Sequence, residues 1–182
     1  MRVLLLMQNH DKQQGVGIVE VLIAMVLTAF ALLGLAGLQI SALRYQKIAH
    51  FRALATTYSV DMAERVRANI AGARGGYYSS AMGAYPATTS PAPEGSSCGN
   101  PVCTAAELAA DDIREWRHGL SQAMAGGWGE ISGSMNGGFR VIVYFREPGK
   151  KNNAAGKNQC REGALQGGNN KDVRCFSTVF MP

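Results

Sequence analysis

A chain of 182 residues, 47 % hydrophobic and 17 % charged, is too apolar for a disordered tail and allows one globular domain beside a membrane helix. Its formal net charge of +5 is mild and does not by itself argue for a nucleic-acid partner. The four cysteines, Cys98, Cys103, Cys160 and Cys175, all lie in the second half of the chain. An even number there points to disulfides in an oxidising compartment, the periplasm or the cell exterior.

The chain opens with a short leader, apolar over Val3–Met7 and polar over Gln8–Gly15, and Met7 is an alternative start. Then come Gly15, Val16, Gly17, Ile18, Val19 and Glu20, and from Glu20 to Arg44 no further charge. As a helix, Val21–Leu43 would extend roughly 35 Å, enough to cross the hydrocarbon core of a bilayer. Glu20 sits at the lip of that run with no basic side chain beside it. A carboxylate there is costly unless something cancels its charge, so it marks a functional position. A secretory signal peptide cut after Ser41-Ala42, or a plain signal anchor, would account for the apolar run. Neither accounts for Gly15 and Glu20 together.

A glycine five residues before such a glutamate, behind a short polar leader, resembles the processing signature of type IV prepilins. The resemblance implies cleavage between Gly15 and Val16 by a prepilin peptidase and methylation of the new amino terminus at Val16. It also implies that Glu20 meets the freed amino terminus of a neighbouring subunit in the fibre core. The family usually has an aromatic residue or methionine at the first mature position and a threonine at the second, where this chain has Val16 and Gly17. The positive charges flanking the run do not favour a cytoplasmic N-terminus; the cysteines and the signature place the head outside.

Beyond the run, Phe51, Ala55, Tyr58, Met62, Val66 and Ile70 recur at three-to-four spacing, which predicts that the helix continues to about Ala71 and stops at Gly72. Gly34 and Gly37 interrupt its apolar half, either loosening the helix or permitting close packing. From Ala73 to Pro101 the composition turns to Gly, Ser, Pro, Ala and Thr, a loop from which Tyr77, Tyr78 and Tyr85 can dock on the head. Thr104-Ala-Ala-Glu107 has capping-box form and predicts a second helix with Leu108, Ile113, Trp116, Leu120 and Met124 on its apolar face, ended by Gly126-Gly127. Three strands are expected: a weak one over Glu130–Met135, a strong one over Phe139–Arg146, and Phe176–Met181. Four cysteines permit three pairings, and loop closure favours the local pairs Cys98–Cys103 and Cys160–Cys175.

The expected fold is α+β, a long N-terminal helix packed on a small antiparallel sheet with a disulfide-closed C-terminal region, the layout of type IV pilins. The expected organisation is a leader over 1–15, a transmembrane or fibre-core helix over 16–43, its amphipathic continuation over 44–72, and a head over 73–182. The second helix ending at Gly126-Gly127 before the sheet, and the disulfide near the C-terminus, resemble minor pilins of the PilV type.

No phosphate-binding glycine loop, nucleophile elbow or paired-cysteine redox motif occurs, and His10, His50 and His118 are scattered. Zinc is disfavoured because no C-x₂-C pair is present. The basic group of Lys150, Lys151, Lys157, Arg161, Lys171 and Arg174 reads as a solvated loop rather than a DNA contact. The expectation is therefore a non-enzyme without cofactor or metal, itself a substrate of the prepilin peptidase. Its expected partners are other minor and major pilins, inner-membrane lipid before assembly and a tip adhesin, with a minor pseudopilin of type II secretion as the alternative identity.

Overall fold

The computed structural model describes residues 17–79, 85–86, 102–147, 160, 165 and 172–182. The chain divides between Tyr45 and Gln46 into two units. In the first, every residue from Ile18 to Tyr45 is helical and exposed. This stretch opens α1 (Ile18–Ala68), the one helix among the described residues that is long and apolar enough to cross a membrane.

In the second unit, the apolar stripe of α1 becomes the floor of the core, with Phe51, Ala55, Met62 and Val66 all buried. The helix does not end at Gly72 as the sequence implied. It breaks at Asn69, and a short helix α2 (Ile70–Arg74) follows. Asparagine competes with the helix backbone for its own hydrogen bonds. Here Asn69 is buried; its Oδ1 accepts from the Gly72 N–H at 3.0 Å and its Nδ2 donates to the Ala105 carbonyl at 2.9 Å. Gly72 passes so close to Ala105 that a Cβ would lie 2.9 Å from that carbonyl, which is why glycine sits there inside a helix rather than after one.

α3 (Ala105–Ala123) starts as its sequence predicts. The Thr104 hydroxyl accepts from the Glu107 N–H at 3.2 Å, and Glu107 Oε2 accepts from the Thr104 N–H at 2.8 Å. Its buried stripe is Ala109, Ile113, Trp116 and Leu120. Leu108, expected on that face, lies one position off it and is exposed, and Ala109 takes the place. Thr104→Ala is expected to cost about 1 kcal/mol, the usual worth of a lost N-cap, read as a shift in denaturant midpoint.

Among the described residues three antiparallel strands follow, β1 (Trp128–Ser134), β2 (Gly138–Arg146) and β3 (Val173–Phe180), in the order β1-β2-β3. β1 opens two residues earlier than its sequence implied. Gly129, a poor strand residue, hid the start; it is required because a Cβ there would run into the Trp116 ring and Leu120. β2 shows the expected alternation, with Phe139, Val141, Val143 and Phe145 buried toward the helices. Ile142 and Tyr144 on its other face are buried as well, in a second cluster with Tyr85, Val173 and Cys175, packed by Trp128, Cys160 and Leu165.

Cys160 and Cys175 form a disulfide with Cα atoms 5.0 Å apart, and Cys175 sits across from Tyr144 in the β2–β3 ladder. Cys103 is disulfide-bonded too, and Cys98, its expected partner, lies outside the described residues. At the same end of the sheet Arg174 Nε donates to Glu147 Oε2 at 2.8 Å and Arg146 Nη1 to Asp172 Oδ2 at 3.4 Å. Replacing Cys160 and Cys175 together by serine is expected to lower stability by roughly 3 kcal/mol, the chain-entropy value for a loop of this size. The check is the denaturant midpoint of the oxidised native chain against the double variant.

Candidate functional site

The sequence concentrates its unusual chemistry at the start of α1. Gly17 lies just before the helix, and its carbonyl accepts from the Glu20 N–H at 3.0 Å and the Val21 N–H at 3.3 Å. Glu20 therefore stands in the first turn, where unsatisfied amides and the helix dipole favour a negative charge. Gly15 and Val16, the expected cleavage pair, lie outside the described residues.

Beyond Glu20 the helix is built to leave water. Leu27, Leu33 and Leu38 are 64 %, 70 % and 71 % exposed, a display of apolar surface that a soluble helix does not sustain. The Thr28 hydroxyl donates to the Met25 carbonyl at 2.9 Å, so this polar group is satisfied within the helix and makes no demand on its surroundings. By length and composition the helix suits apolar surroundings such as lipid. In such surroundings Glu20 would need a cation, because a carboxylate stranded in low dielectric is heavily penalised.

Residues 10–36 match the family model described as the Prokaryotic N-terminal methylation motif. The chain carries a prokaryotic N-terminal methylation motif. The matched residues span Gly15, Val16 and Glu20 and reach into the apolar run, so the motif coincides with the residues whose chemistry is otherwise unexplained. Comparison with curated proteins gave no match, and neither did comparison with solved structures. The methylation motif supports a type IV pilin or pseudopilin, processed by a prepilin peptidase and assembled with other pilins. The long apolar helix, the three-stranded antiparallel sheet and the C-terminal disulfide are consistent with the type IV pilin fold.

The described residues of the second unit hold no comparable centre. Among the described residues no group of three or more His, Cys, Asp or Glu side chains could hold a metal ion. A charge cluster among these residues ties α1 to α3. Arg65 on α1 reaches Asp61 at 3.1 Å, Asp112 at 3.2 Å and Glu115 at 3.0 Å, the last two on α3. Burial works against the Arg65 charge, but hydrogen bonds to Glu115, Asp61 and Asp112 outweigh it and hold the guanidinium above its ordinary range. The Tyr78 hydroxyl, buried beside them, donates to Asp112 Oδ2 at 2.5 Å. Its burial first, and this bond next, push it above the usual tyrosine range. Of the three loop tyrosines, Tyr78 and Tyr85 dock as expected and Tyr77 stays exposed. No spacing in the sequence signals the Arg65 cluster, because its partners on α3 are 47 and 50 residues away.

Proposed function

We propose that this chain is a minor pilin of the type IV pilus, of the PilV type. It primes fibre assembly from the inner membrane and is incorporated at or near the tip, supporting twitching motility and adhesion. The observation that carries this reading is the methylation motif over residues 10–36, which continues into a helix whose second half builds the core of the globular unit. In this reading the peptidase cuts between Gly15 and Val16 and methylates Val16. Before assembly the helix crosses the inner membrane once, with its N-terminus cytoplasmic and its head periplasmic. The chain is a structural subunit rather than an enzyme and works without a cofactor. Its partners are the peptidase, the helices of other minor and major pilins, and a tip adhesin.

A minor pseudopilin of type II secretion would share the motif and the helix. Four cysteines and a long disulfide-closed segment before β3 favour the pilus, since pseudopilins of this kind more often lack disulfides. Deleting the gene separates the two. A pilus subunit's loss is expected to abolish surface fibres and twitching while leaving secreted enzymes in the medium. Intact piliation with blocked secretion would assign the chain to the secretion system instead.

A further inference from the structure

An outer strand presents unpaired backbone groups on which another chain can build a strand. Among the described residues β1 is such a strand, and one side chain occupies its edge. Arg117 on α3 donates from Nε to the Gly129 carbonyl at 2.9 Å. Its guanidinium lies over the Trp128 ring, 4.3 Å from the centroid. The next residue, Glu130, is 2 % exposed and interacts electrostatically with the same guanidinium. Three consecutive β1 residues thus engage one arginine. The absence of a side chain at Gly129 lets α3 come close enough for the contact, with the Trp116 ring filling the space a Cβ would need.

We propose that Arg117 seals the β1 edge and keeps neighbouring copies of this chain from joining strand to strand. A carbonyl that already accepts a charge-assisted bond gains little from an incoming N–H, and a guanidinium stacked on Trp128 obstructs the approach. The seal depends on a planar group that stacks and donates at once, which lysine cannot reproduce. Burial lowers the pKa of Arg117, and the charge of Glu130 opposes that shift. An anchored protein is concentrated on a surface, where an open strand edge would compete with association through the apolar helices.

The test uses the full-length chain in membranes. Ser132→Cys places a thiol on β1, and the described native cysteines are all bonded. Ser177→Cys, on β3, is the control. Under mild oxidation, Arg117→Leu is expected to raise the Ser132→Cys disulfide dimer about tenfold, the effect of losing a cation–π contact and a charged hydrogen bond. Arg117→Lys should fall between, and the Ser177→Cys reporter should not respond. Trypsin resistance reports folding, and if the leucine variant is digested the lysine variant decides. Dimer at the native level in the folded variants, or an equal rise with Ser177→Cys, would overturn the proposal.

Discussion

Replacing Trp116 with alanine is expected to destabilise the globular unit by about 3–5 kcal/mol, a large fraction of the stability of a domain this size. The side chain is 1 % exposed and is the largest fully buried group among the described residues. It lies on α3 with Gly129 of β1 pressed beneath its ring, and its Nε1 donates to the Tyr58 carbonyl on α1 at 2.8 Å. Tyr58 returns the link, donating from its hydroxyl to the Gly119 carbonyl at 3.2 Å. Truncation would leave a cavity between helix and sheet and remove the second hydrogen bond accepted by the Tyr58 carbonyl, which lies inside α1. Trp116→Phe keeps most of the volume and loses the donor, so it should cost less, about 1–3 kcal/mol. Denaturant titration of the full chain in detergent measures both. A loss below about 1 kcal/mol for the alanine variant would show that the α1–α3–β1 junction is not the centre of the core.

The second large effect concerns Glu20. In the proposed fibre its carboxylate neutralises the amino terminus of a neighbouring subunit. Glu20→Leu removes that partner and leaves a buried ammonium, at a cost of about 3–5 kcal/mol. Recruitment into sheared fibres should therefore fall by about a hundredfold or more. Insertion should be unharmed, because the variant makes the span more apolar. Cleavage should persist, since it depends on Gly15. Glu20→Asp should be intermediate, keeping the charge but shortening the reach. Equal incorporation of the leucine variant and the native chain, at equal membrane levels, would reduce Glu20 to a lipid-facing remnant.

Local signals carried much of this architecture. The uncharged run after Glu20, the capping box at Thr104 and the alternation of β2 each express a physical period or a short-range hydrogen bond that needs no tertiary partner. The misses share an opposite cause. Asn69 breaks α1 because its amide reaches Ala105, 36 residues away. β1 begins at Trp128 because Trp116 makes room only for a glycine at 129. The second cluster around Tyr144 gathers Tyr85 and Cys175 from opposite sides of it in sequence, and Arg65 collects its carboxylates from two helices. At the N-terminus the balance differs. The spacing of Gly15, Val16 and Glu20 is a linear signal of the kind a processing enzyme reads, so it is legible in the chain itself, whereas the neighbour that Glu20 would meet in the proposed fibre belongs to another molecule.

The measurement that bears most directly on this account is mass spectrometry of the mature N-terminus, taken from cells that make a prepilin peptidase. A chain beginning at N-methylated Val16 is expected, with accumulation of the uncut precursor when Gly15 is replaced by valine. An intact Gly15–Val16 bond in the native protein, or a mature end after Ala42, would contradict it.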